Sequence, residues 1–307
     1  MRIFVTGASG WIGSALVPEL IDAGHQVLGL ARSTASAEAL TAAGAEVVRG
    51  TVDDLDLLGT TAAASDGVVH LAFKHDVAFT GDYQGAAEAD RRAVDTFGDA
   101  LAGSDRPFVL ASGLAGLKPG QVSTERDLPR IDGSPTSLRA ATSTAALALA
   151  SRAVRSSVVR LAPTCHGEGD NGFMATLVGI ARAKGVSGYI GDGANRWAAV
   201  HRLDAARLFR LAVEKAPAGA VLHGAAEEGV AIRDVAEVIG RHLDVPVTSV
   251  APEAAAEHFG WLGAFLGLDA PASSALTQKS LDWRPTRPDL LEDLAKGHYF
   301  SGSAGAA

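Results

Sequence analysis

The feature that most limits what this chain can fold into is a spacing of three glycines directly after an apolar run. Ile3, Phe4 and Val5 are continuous apolar residues at the start of the chain, the pattern of a strand covered on both faces of a parallel sheet. Thr6-Gly7-Ala8-Ser9-Gly10-Trp11-Ile12-Gly13 follows, and then an amphipathic stretch over residues 14–23. Strand, glycine turn and helix in that order open a strand–helix–strand unit. With 35 glycines in the chain, chance triplets are common, so the position between strand and helix gives this one its meaning.

The alternation continues. Further strands are predicted over residues 25–31, 46–50, 67–73, 107–112 and 157–161, with helices over 35–43, 86–101 and 137–152. Six alternations are the pattern of a doubly wound parallel sheet of the α/β class. Beyond Pro163 the texture changes. A glycine-rich polar loop is predicted over residues 164–172, with helices over 173–183, 203–215, 232–243, 254–265 and 289–296. Short strands are predicted over 188–193, 198–200, 220–223 and 246–250. The division expected is a Rossmann-type domain, residues 1–163 and about 200–223, with a small C-terminal substrate lobe, about 164–199 and 224–300. The small residues 301–307 are expected to be a disordered tail.

A glycine turn feeding a helix N-terminus aims free N–H groups and the positive dipole end at phosphate. Gly7, Ser9, Gly10, Trp11, Ile12 and Gly13 are therefore read as the cradle of a dinucleotide pyrophosphate. At the end of the second strand stands Arg32-Ser33-Thr34 with no acid. An acid there accepts from the ribose 2′-hydroxyl of NAD, whereas a cation accommodates the 2′-phosphate of NADP. Arg32 and Ser33 thus favour NADP over NAD, unless Arg32 is simply a solvated strand-end residue. After the third strand, Asp53 can accept from the adenine amino group, or Asp53 or Asp54 can cap the next helix. Leu71 and Ala72 lie toward the end of the fourth strand, which faces the ligand crevice in such sheets. Lys74-His75-Asp76 follows, and His75 is a candidate proton carrier or an ordinary polar loop residue.

Several classes are excluded. A net charge of −8 argues against a nucleic-acid partner, which needs a basic face. Cys165 is the only cysteine, so neither an internal disulfide nor a cysteine metal cluster can form. The histidines show no metal-ligand spacing, and no metal is expected. No apolar run reaches the length of a membrane span and the first residues read as a strand, so a cytoplasmic protein without a membrane partner is expected.

At this point the residues resemble a known family. Residues 6–13, His70-Leu71-Ala72, Arg160-Leu161-Ala162-Pro163-Thr164, His201-Arg202-Leu203-Asp204 and Leu281-Asp282-Trp283-Arg284-Pro285 line up in order with the extended short-chain dehydrogenase/reductases. These are relatives of sugar-nucleotide epimerases, dehydratases and dihydroflavonol-type reductases. The resemblance runs from residue 1 to about 296. It implies a Rossmann domain and a C-terminal lobe with the substrate between them, Pro163 behind the nicotinamide, and Ser112 as the residue that bonds the substrate oxygen. It also implies a Tyr-x-x-x-Lys pair on the helix after the fifth strand. Here the chain departs from the pattern: Arg139 stands at the tyrosine position and Ser143 at the lysine position. The three tyrosines, Tyr83, Tyr189 and Tyr299, lie elsewhere. The resemblance is to an atypical member lacking the usual pair.

An arginine keeps its charge at neutral pH, so Arg139 can polarise a carbonyl or hold a phosphate or carboxylate but cannot relay protons. His75, His166 and His201 are the titrating candidates, His201 near the substrate wall. Arg196 is a candidate for an anionic substrate, or for a surface ion pair. Trp261 and Phe265 read as core packing. Two functions follow: an NADP-dependent oxidoreductase or epimerase-like enzyme on a small carbonyl, alcohol or sugar-derived substrate, with catalytic candidates Ser112, Arg139, His75 and His166; or a non-catalytic NADP-binding sensor. A homodimer through the helices flanking the fourth and fifth strands is expected.

Overall fold

The computed structural model describes residues 1–115, 117–129, 131 and 135–301. The expected disordered tail, apart from Ser301, lies outside them. The first strand, β1 (Arg2–Thr6), buries Ile3, Phe4 and Val5 completely. The glycine turn leads into α1 (Gly13–Asp22), and Gly24 stops that helix in the left-handed region, where a glycine has no Cβ penalty. Then come β2 (Gln26–Ala31), α2 (Thr34–Ala42), β3 (Glu46–Arg49), α3 (Leu55–Ala63) and β4 (Gly67–His70). They are followed by α4 (His75–Phe79), α5 (Tyr83–Leu101), β5 (Pro107–Gly113), α6 (Pro135–Ala148) and β6 (Arg155–Leu161). The remainder holds β7 (Thr164–His166), α7 (Phe173–Lys184), β8 (Ser187–Ile190), β9 (Arg196–His201), α8 (Arg202–Lys215) and β10 (Ala220–Gly224). Last come β11 (Glu227–Ala231), α9 (Ile232–Leu243), β12 (Val247–Val250), α10 (Ala255–Phe259), α11 (Gly263–Leu266), α12 (Ala275–Leu281) and α13 (Leu290–Ala295).

Seven strands form one parallel sheet in the order β10-β6-β5-β4-β1-β2-β3. The order reverses at β1, whose neighbours are β2 and β4. That reversal is the switch point, and ligands of open sheets bind beyond the strand ends there. Helices cover both faces, as the near-continuous burial of the central strands requires. Leu16, Leu20 and Phe209 pack on one face, while Phe97, Leu58 and Leu149 pack on the other. The doubly wound Rossmann-type α/β fold is thereby present.

A buried polar knot fixes the strand ends under the glycine turn. Thr6 Oγ1 lies 2.6 Å from His70 Nδ1 and accepts from the Ala72 N–H at 3.3 Å. His70 Nε2 is 3.2 Å from Asp90 Oδ1 on α5, close enough for an ion pair but not aligned for a hydrogen bond. This knot explains why the fourth strand ends at His70 rather than at residue 73.

Beyond β6 the structure differs from the sequence reading at several points: β11 and α12 stand where no element is expected, and two expected elements change. Thr164–His166, read as polar loop, is a strand of a three-stranded sheet ordered β11-β9-β7. Residues 254–265, read as one helix, break at Gly260, whose φ of +59° ends α10. A separate apolar cluster including Met174, Trp197, Ile239, Phe259 and Leu262 holds these elements together. Trp283 is fully buried against the main core and donates to the Asp204 carbonyl at 3.0 Å. Among the described residues no helix is long and apolar enough to cross a membrane.

Candidate functional site

A cleft of about 980 Å³ opens at the ends of β1, β4, β5 and β6. Its floor at one end is the glycine turn. Gly7 has φ +66°, and a Cβ there would sit 2.8 Å from the Ala72 nitrogen; one on Gly13 would sit 2.1 Å from the Gly7 oxygen. Neither position admits a side chain, so bare backbone and the first turn of α1 face the cleft, as a pyrophosphate requires. Ser9, Gly10, Trp11 and Ile12 also line it, as do Leu71, Ala72 and Pro163. Trp11 donates through Nε1 to the Cys165 carbonyl at 2.9 Å, and the Arg202 guanidinium stacks 4.0 Å over the Trp11 ring. The glycine turn is thus tied to β7. Burial pushes the Cys165 thiol up to about 12, so it stays protonated.

At the adenosine end, Arg32 lines the cleft and pairs with Asp76 at 3.0 Å, both side chains mostly exposed. Ser33 caps α2, accepting from the Ser36 N–H at 3.1 Å, and its hydroxyl meets that of Ser36 at 3.0 Å. Ser36 lines the cleft where Ser33 does not. Asp53 lines the cleft and accepts from Lys74 Nζ at 2.6 Å. Asp54 turns back onto Thr51 instead of capping α3 with its side chain.

At the other end, Ser112, Arg139 and His75 share the wall. Arg139 projects from α6, donates through Nη2 to the Ala111 carbonyl at 3.3 Å, and lies 4.3 Å over the Phe73 ring. Ser143, one turn further on, is 2.9 Å from Ser112 Oγ and 3.1 Å from the Arg139 carbonyl, and its one proton serves both. Phe73 meets His75 edge-on at 5.0 Å. Desolvation within the cleft, with the Arg139 charge adding to it, lowers His75 to about 4. Its ring is nonetheless exposed to the open cleft, so water screens part of that effect. At neutral pH His75 is a neutral imidazole, able to hydrogen-bond but poorly able to deliver a proton.

Three expected residues lie off this wall. His166 is fully buried and bonded through Nδ1 to Asp293 at 3.0 Å, and Asp293 also accepts from His298 at 3.2 Å. His201 packs edge-on to His166 at 5.3 Å and caps α8 by accepting from the Leu203 N–H at 3.2 Å. Arg196 is clamped by Asp269 through Nε at 3.2 Å and Nη2 at 2.9 Å. Each is occupied within the protein, so each is placed as a structural contact rather than at the cleft. Phe265 packs with Phe173, as does Trp261, although Trp261 is 50% exposed.

The sequence gives Asp76 at the crevice but not Phe73 or Asp170 as cleft residues. Asp170 comes from the glycine-rich loop before α7 and lines the cleft beside Phe173 and Met174. It accepts from the Gly172 N–H at 2.7 Å and the Tyr299 hydroxyl at 3.0 Å. Burial raises its carboxyl despite those bonds. An acid in a glycine-rich loop at a strand end is a usable signal, though Glu168 shares that loop; a partner about 130 residues away is not. Among the described residues, no group of three His, Cys, Asp or Glu side chains is placed to hold a metal ion.

The glycine cradle, the sheet order and the cleft at the switch point coincide with what comparison finds: residues 3–223 match the model of the NAD dependent epimerase/dehydratase family. The chain belongs to that family. An uncharacterized protein of Schizosaccharomyces pombe is 48% identical over 307 residues, covering 98% of this chain and all of that one. Another, from Saccharomyces cerevisiae, is 44% identical over 296 residues, 96% of this chain and 98% of its own. The solved structure of the dTDP-glucose 4,6-dehydratase DesIV from Streptomyces venezuelae, with NAD and TYD bound, superposes with a TM-score of 0.77 at 21% identity, covering 97% and 96% of the two chains. The family is one of NAD-dependent epimerases and dehydratases, and the fold matches that of the solved dehydratase over 97% of this chain.

Proposed function

We propose that this protein is an NADP(H)-dependent oxidoreductase acting on a small carbonyl or alcohol through an atypical site. The observation that carries this is that Ser112 and Arg139 line the same cleft as the glycine cradle. The cradle fits the group: backbone at Gly7 and Gly13 admits no side chain, and the first turn of α1 follows it. When bound, the dinucleotide supplies or accepts a hydride.

Everything else falls to the chain's own residues. When the Ser143 proton is directed to Ser112 Oγ rather than to the Arg139 carbonyl, Ser112 can donate its own proton to a substrate oxygen. The Arg139 guanidinium meets negative charge as the carbonyl π electrons move onto that oxygen, the role of an oxyanion hole. α6 holds neither tyrosine nor lysine, and His75 is neutral, so the proton reaches the oxygen from water admitted by the open cleft. Arg32, with the Ser36 hydroxyl on the same cleft, favours a 2′-phosphate, hence NADP(H) over NAD(H). The exposed Arg32–Asp76 pair is weak and opens at little cost.

A second reading, a dinucleotide-binding sensor without turnover, draws on the same α6: its residues supply charge and hydroxyls but no acid that titrates near neutrality. Following NADPH absorbance against a panel of aldehydes and ketones separates the two. Turnover that falls with Arg139→Ala supports the enzyme. Tight NADPH binding with no turnover on any substrate supports the sensor.

A further inference from the structure

One cation of the cleft stands apart from its acids. Three cations line the cleft. Arg32 is paired with Asp76, and Lys74 with Asp53. Arg139 has no carboxylate within ion-pair distance among the described residues; its recorded partners are the Ala111 carbonyl and the Phe73 ring. Its Nε is buried without a hydrogen-bond partner. The remaining acid of the wall, Asp170, is engaged by the Tyr299 hydroxyl and the Gly172 N–H. A buried guanidinium donor left unpaired is costly, and the usual partner for that fork is a carboxylate.

The surroundings of Arg139 define the rest of the ligand. Phe73 lies under the Arg139 guanidinium, and Leu114, Ala115, Phe173 and Met174 line the same cleft. Phe173 is backed by Trp197 at 5.3 Å and Trp261 at 5.8 Å, which makes that wall thick and apolar. Arg196, the lobe's candidate for an anionic substrate, is held by Asp269. The whole cleft, about 980 Å³, lies at the upper end of the roughly 300–1,000 Å³ typical of one ligand. Beside a dinucleotide the cleft has room for a second, smaller ligand.

We infer that the substrate is a small carbonyl compound with an apolar body and a carboxylate beside the reacting carbon, a 2-oxo acid or the matching 2-hydroxy acid, its carboxylate held by Arg139. The inference rests on the redox reading above and narrows it. In reduction, a hydride from the reduced dinucleotide forms the new C–H bond at C2. The C=O π pair goes to oxygen, water supplies the proton, and the dinucleotide leaves oxidised. Arg139 spans the carboxylate and the developing alkoxide, with Ser112 on the latter.

The test uses phenylpyruvate and its methyl ester, with phenylacetate as an unreactive carboxylate. Calorimetry measures phenylacetate binding to the protein saturated with NADP⁺; NADPH oxidation measures turnover of the keto acid and its ester. The acid is expected to be favoured over the ester about 10- to 100-fold, the worth of a charge-assisted pair. Arg139→Gln should erase that preference, and Arg139→Lys, which keeps the charge, should retain part of it. Circular dichroism establishes that each variant is folded. Equal handling of acid and ester by the unmodified protein overturns the inference, as does an acid preference that survives in Arg139→Gln. Ester turnover without acid preference would defeat the inference alone. Arg139-dependent phenylacetate binding with no turnover of either ketone would defeat the redox reading and leave the carboxylate site standing.

Discussion

The Arg139 guanidinium lies 4.3 Å over the Phe73 ring, which joins α6 to the segment after β4 across the mouth of the cleft. The contact fixes a cation on the end of the cleft that also holds Ser112. Replacing Arg139 by Ala removes the group that meets charge on the substrate oxygen. The expected loss is about 10²–10³ in kcat, the worth of one oxyanion-hole donor, with NADPH affinity unchanged. Steady-state kinetics and fluorescence titration check the two halves separately.

Cofactor choice depends on Arg32. In Arg32→Ala the 2′-phosphate loses a charged partner, and NADPH should bind about 10- to 100-fold more weakly. NADH binding should hardly change. A parallel fall in both affinities would remove Arg32 from the account of specificity.

The glycine turn tolerates no Cβ at Gly13, where one would sit 2.1 Å from the Gly7 oxygen. Gly13→Ala is expected to cost about 1–3 kcal/mol through overpacking and to abolish NADPH binding by displacing the first turn of α1. Urea unfolding followed by tryptophan fluorescence gives the first quantity, and titration the second.

Acid should weaken the fold through its histidines. Burial lowers His201 to about 4 and also lowers His223, which is fully buried. The unfolded chain's histidines take up protons below about 6.5. Between those values the unfolded state binds more protons than the folded one, so stability falls as pH drops from about 6.5 toward 4 and this contribution levels off below. His201→Asn keeps an acceptor for the Leu203 N–H and removes one titrating group. Its denaturation midpoint should therefore fall less steeply over that window.

Tyr299 reaches the cleft indirectly, accepting from the Gly167 N–H at 3.2 Å and donating to Asp170. Tyr299→Phe leaves both half-buried groups short of a partner, at a cost of about 1–3 kcal/mol. Because Asp170 lines the cleft, KM for the carbonyl substrate should rise more than kcat falls. A stability loss with unchanged KM would make this tie purely structural.

The main sheet was legible because it rests on local signals. Apolar runs such as Ile3-Phe4-Val5 and the glycine turn bury or bend by themselves, and nothing distant competes with them. The same holds for Ser112 and Arg139, which position on a strand end and on the next helix puts on one wall. His166, His201 and Arg196 read as site residues because their types fit the chemistry. For His166 and Arg196 the partner is far along the chain, Asp293 and Asp269, and no local pattern announces such a pair, while His201 caps α8. Thr164–His166 was read as a loop for a related reason: three residues carry no periodicity, and their strand exists only through pairing with β9.

The most direct test of the account is NADPH oxidation by the unmodified protein, measured beside Arg139→Ala, over a panel of ketones with and without a neighbouring carboxylate. The account predicts turnover of at least one keto acid and its loss in the variant. Tight NADPH binding without oxidation of any member of the panel would contradict it.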